Sequence, residues 1–290
     1  MASRFSPERN DLPENQLAEV VRSNRFKAVI SWLLVPFCFW QGLRIRSTGI
    51  SLLPPQGPAE ALVGASQKGA PYKLLVIGDS SVSSIGAHDL DDGLAMQMAI
   101  RLSDRLRRPV NVRIAGNSSA TSADLRDFVV PHLPRDGYDL VFVVIGMNDA
   151  KNLHTAKRFA KGFGGLIYAL RARFPSAAIA HWPISPMSIF PVLPQPLKFC
   201  LRLRSDILDA YAGCLSAGRG IERFDRRMSF PVHGFASDGF HVNADGYALW
   251  AEEAVSALMS KDAVRKARSK RKKAKRHEAE AAINVPSDQS

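Results

Sequence analysis

A serine hydroxyl is a poor nucleophile at neutral pH unless a base takes its proton, and the base works best when a third group holds it. Ser80 stands in the segment Gly78-Asp79-Ser80-Ser81, directly after an apolar run at residues 73–77. Much later, Asp238-Gly239-Phe240-His241 supplies the other two groups. Their spacing of three residues, with Gly239 permitting a tight turn, lets the Asp238 carboxylate meet the Nδ1–H of His241 and leaves the other ring nitrogen facing Ser80. Neutral imidazole titrates near the operating pH, so it suits both removal of the serine proton and its return to a leaving alcohol. Negative charge developing on an attacked carbonyl oxygen needs preorganised donors. Three are in prospect: the backbone N–H of Ser80, that of Gly116 in Gly116-Asn117-Ser118, and the side-chain amide of Asn148 in Gly146-Met147-Asn148-Asp149.

Those clusters must be brought together by regular elements. Short apolar runs predict strands at 73–77, 110–115, 140–145 and 177–182, with a weaker one at 221–224. Apolar residues at helical spacing predict helices over 94–106, 154–173, 197–215 and 244–259. Strands alternating with helices imply a mainly parallel, doubly wound α/β sheet, in which functional groups gather at the carboxyl ends of strands. Three of the polar clusters fall there. Asp79 and Asp149 fit hydrogen bonding to loop amides and helix capping rather than acid chemistry. His88, His132, His154, His181 and His233 show no obvious partner.

The ordered set Gly-Asp-Ser, Gly, Gly-x-Asn-Asp and Asp-Gly-x-His resembles the SGNH (GDSL) hydrolase superfamily over residues 72–260. The resemblance implies a three-layer α/β/α, flavodoxin-like fold and hydrolysis of esters or thioesters. It implies catalytic roles for Ser80, Gly116, Asn148 and His241, with Asp238 completing a triad; neither a cofactor nor a metal is expected. Where the family often has proline after the histidine, Val242 stands here; this alters loop stiffness and leaves the triad atoms in place.

The 290 residues allow one sizeable domain plus tails. The formal charge of +12 is mostly local: residues 261–277 hold ten Lys/Arg and one Asp, leaving 29 basic against 26 acidic residues elsewhere. The block belongs to a tail at 261–290, expected to be disordered, that offers a contact for anionic lipid. Without interleaved aromatic residues it is a poor nucleic-acid binder. Cys38, Cys200 and Cys214 have no metal-ligand spacing; Cys200 and Cys214 read as buried thiols, with pairing under oxidising conditions the alternative.

At the other end, residues 1–27 form a polar leader. Residues 28–43 then contain no charge, and the apolar segment is taken to 46. It is short for a spanning helix, which needs about 20 apolar residues, and Pro36 should kink or break it. Trp32, Trp40 and the flanking Arg22, Arg25, Lys27, Arg44 and Arg46 suit a segment lying at lipid headgroup level. Packing on a cytoplasmic domain is the alternative. Residues 47–71, with Pro54, Pro55 and Pro58, read as a linker. Within the domain, the proline-rich stretch 183–199 follows the fourth strand, so Met187, Ile189, Phe190, Val192 and Leu193 are candidates to line an acyl pocket. The combined expectation is a serine esterase for carboxylic esters, including lipid or lysophospholipid esters. The alternatives are a carbohydrate O-deacetylase, an acyltransferase and, from another class, a non-catalytic binder of anionic lipid or nucleic acid.

Overall fold

The computed structural model describes residues 14–224 and 231–260. The expected basic tail and the first part of the leader lie outside the described residues. Six strands form one sheet: β1 (Glu60–Val63), β2 (Tyr72–Gly78), β3 (Val110–Gly116), β4 (Leu140–Val144), β5 (Ala178–His181) and β6 (Glu222–Arg223). Their order is β1-β3-β2-β4-β5-β6, and every pairing is parallel except β1 with β3. Without β1, the order is that of a flavodoxin-like doubly wound sheet, as the family resemblance implies. β4 is buried along its whole length, and β2 nearly so. Covering both faces is what demands near-continuous apolar runs such as Leu74–Ile77 instead of strict alternation.

The helices are α1 (Glu14–Thr48), α2 (Leu94–Leu106), the single turn α3 (Ser122–Asp124), α4 (Met147–Lys151), α5 (Ala156–Arg173), α6 (Leu197–Ala217) and α7 (Ala244–Ser260). α2 packs with α7, α5 packs with α6, and α1 lies along α6. The stretch expected to be a plain linker contains β1. Glu60 anchors that short edge strand through an ion pair to Arg113 and by accepting the Asn111 amide at 2.9 Å.

α1 corrects a second expectation, because the helix runs through Pro36 without a break. An internal proline costs about 3 kcal/mol. Contacts on both sides of it hold the helix: Ser31 and Cys38 are buried, and the Cys200 thiol of α6 donates to the Ser31 carbonyl at 3.3 Å. The buried face is made of small or polar residues at intervals of seven, Asn24, Ser31 and Cys38. The opposite face carries Phe26, Leu33, Phe37 and Trp40, each between 66% and 75% exposed. This inverts the amphipathic pattern of a helix on a soluble domain. All three cysteines are free and buried.

His181 ends β5 in the core, its ring 4.6 Å from that of Phe163 and tilted by 60° to it. Burial, with the nearby Arg223 charge, pushes its pKa down to about 4 from 6.5. The unfolded chain therefore binds the extra proton first as pH falls, and stability present above pH 6.5 is lost progressively toward about pH 4. His181→Leu should remove about 3 kcal/mol of that acid loss between pH 7.5 and 4. Urea unfolding of both proteins across this range isolates the His181 contribution, since all other titrations are shared. A stability difference that does not change with pH would refute it.

Candidate active site

β2 delivers Ser80 and β4 delivers Asn148, because Gly78 pairs with Val144 at the carboxyl edge of the sheet. Beyond Gly78 the chain turns sharply: Asp79 N–H donates to the Val144 carbonyl, and the N–H groups of Val82 and Ser83 both donate to the Asp79 carbonyl at 3.1 Å. The Asp79 side chain accepts from Ser81 N–H at 3.1 Å, as expected for a loop-bracing carboxylate. Burial pushes that carboxyl up to about 6 in spite of this bond.

The late loop presents His241. Asp238 Oδ1 accepts the backbone N–H groups of Phe240 at 2.9 Å and His241 at 2.8 Å. Its Oδ2 takes the Nδ1–H of His241 at 2.5 Å. Burial raises the Asp238 carboxyl, but these hydrogen bonds outweigh it and hold the group below its ordinary value, hence ionised and able only to accept. The His241 tautomer follows: with the proton on Nδ1, Nε2 accepts the Ser80 hydroxyl at 3.1 Å. The three groups thus form one chain of hydrogen bonds.

Gly146 precedes Asn148 with a φ of +119°, where L-residues are strained, and a Cβ there would meet Ile184 Cδ1 at 2.4 Å. That turn starts α4 and points Asn148 into the cleft that Ser80 also lines. One amide hydrogen of Asn148 is fixed by the Ala120 carbonyl at 3.0 Å, which leaves the other free to donate to a ligand oxygen. Gly116 sits at the end of β3 opposite Gly78 and does not line the cleft. Its bare α-carbon is required all the same, since a Cβ would stand 2.3 Å from the Ser83 nitrogen.

Of the residues proposed for an acyl pocket, only Phe190 lines the cleft. Met187 and Leu193 are buried in the core, Ile189 is partly buried against it, and Val192 packs on Gly239 beneath the histidine loop. An apolar loop after a strand turns inward as readily as toward a ligand, and here Ser205 of α6 pulls it in by accepting the Met187 N–H at 3.2 Å. The cleft walls are instead Val144, Ile145, Trp182, Ile184, Phe240 and Trp250. Several of these could have been sought immediately after the fourth and fifth sheet strands and in the x position of Asp-Gly-x-His. His154, which shows no obvious partner in the sequence, has one in Asp149. Its Nδ1 lies 3.0 Å from Asp149 Oδ1, while Asp149 Oδ2 accepts both the N–H and the hydroxyl of Ser122. Burial raises the Asp149 carboxyl against these bonds.

A sequence model of the GDSL-like lipase/acylhydrolase family matches residues 76–249, more than half of the chain. The chain belongs to this family. It is a GDSL-type hydrolase acting on ester bonds. α1 and β1 precede the matched region. Among curated proteins, none matches the sequence. Solved structures share the fold at low identity. The psychrotrophic esterase EstA from a Pseudoalteromonas species is 16% identical with a TM-score of 0.51, over 65% of this chain and 97% of its own. The acetylxylan esterase Axe2 of Geobacillus stearothermophilus is 16% identical with a TM-score of 0.51, over 66% and 96%. A family 3 carbohydrate esterase of Clostridium thermocellum is 17% identical with a TM-score of 0.53, over 68% and 98%.

In this GDSL hydrolase the carboxylate's ability to fix the imidazole tautomer is separable from its shape. Asp238→Asn keeps the volume and removes the charge, so kcat should fall by about 10⁴-fold with KM little changed. Steady-state kinetics on a soluble ester measure this, and a loss under about tenfold would remove Asp238 from the mechanism.

Proposed function

We propose that Ser80 is the nucleophile of a serine esterase whose preferred substrates carry an apolar acyl chain and are met at a membrane surface. The observation that carries the catalytic part is the continuous hydrogen-bond chain from Asp238 through His241 to Ser80, facing Asn148 across one cleft. Ser80 Oγ attacks the ester carbonyl as its proton passes to His241 Nε2. The carbonyl oxygen, now negative, takes hydrogen bonds from Asn148 Nδ2 and from the backbone N–H of Ser80, both of which line the cleft, whereas Gly116 does not. Collapse of this intermediate breaks the bond to the alkoxide, which receives the proton from His241 and leaves as the alcohol. Water then attacks the acyl-enzyme with His241 again as base, releasing the acid and restoring Ser80.

The rings and branched side chains around the cleft favour an acyl chain over a bare acetyl group. Acetyl removal from carbohydrate is the second reading, supported by the fold shared with an acetylxylan esterase and a carbohydrate esterase. Chain-length series of p-nitrophenyl esters separate the two: kcat/KM rising from acetyl to octanoyl supports the first, and a maximum at acetyl the second. Ser80→Ala should abolish turnover and fluorophosphonate labelling. Continued labelling of a folded Ser80→Ala protein would overturn the assignment of the nucleophile.

The membrane part rests on α1. Among the described residues it alone is long and apolar enough to cross a membrane by length and composition. Its small-residue face is taken up by α6, which leaves the aromatic stripe to lie in a bilayer beside the domain. The basic residues on both flanks fit anionic headgroups. Flotation with vesicles containing phosphatidylglycerol should carry the wild-type protein upward, while Phe37→Asp with Trp40→Asp should stay below and still hydrolyse soluble esters. Equal flotation of the two proteins would dismiss α1 as the contact.

A further inference from the structure

Arg204 is a buried cation without an anion. It lies on the face of α6 that meets α1 and is only 4% exposed. One terminal nitrogen donates to the His154 carbonyl at 2.6 Å and the other contacts the Ser31 hydroxyl at 3.4 Å. The guanidinium stands 4.5 Å from the centre of the Trp32 ring, and its Nε has no hydrogen-bond partner. Among the described residues no carboxylate pairs with it, and burial pushes its pKa down. Carbonyl, hydroxyl and π-face contacts replace part of the lost hydration, but none neutralises the charge.

The surroundings are those of an anion site. Arg204 lines a cavity of about 60 Å³ bounded by Trp32, His154, Thr155, Ala156 and Ile207. This is several times the space one water needs. Thr155 and Ala156 are the N-cap and first residue of the eighteen-residue α5, so the positive end of its dipole forms another wall. α1 closes the cavity at Trp32 and at Ala28, where the uncharged run begins next to Lys27. A helix inserted in lipid carries such a cationic boundary at the depth of the phosphates.

We propose that this cavity binds a single phosphoryl group, held by the Arg204 guanidinium and the first turn of α5 and covered by Trp32. The source is either the headgroup of a membrane lipid beside α1 or free phosphate. The site stands apart from the catalytic cleft and does not depend on the ester reading.

The test uses the full chain. Inorganic phosphate titrated by calorimetry, with chloride holding ionic strength constant, should bind wild type with a Kd of about 1 mM or tighter. Arg204→Gln should weaken this at least about tenfold, Arg204→Lys should retain part of it, and Ser80→Ala, which alters the cleft, should leave it unchanged. Vesicles of phosphatidylcholine with or without phosphatidic acid distinguish the sources. Tighter binding to phosphatidic acid that inorganic phosphate competes away assigns the lipid headgroup, and phosphate binding without a vesicle preference assigns the free anion. Absence of phosphate binding to the wild-type protein overturns the proposal, whether or not the Arg204 variants fold. So does loss of binding in Ser80→Ala with retention in Arg204→Gln.

Discussion

The register between β2 and β4 is the constraint on which the cleft depends. Gly78 beside Val144 brings the residues just beyond the two strands onto one edge, so Ser80 and Asn148 face a common space. A strand rises about 3.3 Å per residue, so a slip of a single position would displace one group by more than a hydrogen bond's length and reverse every side chain on that strand. Burial of both faces makes such a slip prohibitive. The chemistry at the edge is precise because the apolar core beneath it has one register.

His241 comes from a different part of the chain, and its placement is held by a separate set of contacts. Asn243 donates through its amide to the carbonyls of His233 and Phe235, and accepts the Gly246 N–H at 3.0 Å. Tyr247 then reaches across to donate to the Ile85 carbonyl at 2.7 Å, tying the start of α7 to the loop that follows Ser80. His241 and Ser80 are thus fastened by backbone contacts as well as by their own 3.1 Å hydrogen bond. Asp238 adds the last restraint by accepting two backbone N–H groups and the ring at once.

These relations were legible in the sequence to different depths. Strands buried on both faces leave unbroken apolar runs, and polar clusters directly after them announce a site, so the positions of Ser80 and Asn148 followed from local pattern. β1 did not, because four residues with half-exposed alternation on a sheet edge look like any polar connection. Val192 and Met187 were misplaced for another reason: hydrophobicity specifies burial without saying against what. The Asp149–His154 contact depends on how α4 turns between them, and Pro36 in α1 depends on docking against α6. Both are tertiary facts with no local signature.

Two anomalies of α1 have a common physical basis. A helix that presents Phe37 and Trp40 to the outside while burying Ser31 against an unneutralised Arg204 is disfavoured twice if water is its only solvent. Lipid on the outer face and an anion on the inner face would remove one cost each. The location matters for catalysis because Arg204 holds the His154 carbonyl, His154 holds Asp149, and Asp149 follows Asn148 directly. Farther along, Gln41 donates to the Gln195 carbonyl and accepts the Leu197 N–H, at the end of the loop that brings Phe190 to the cleft. α1 therefore touches the supports of two cleft walls, the amide side and the apolar side.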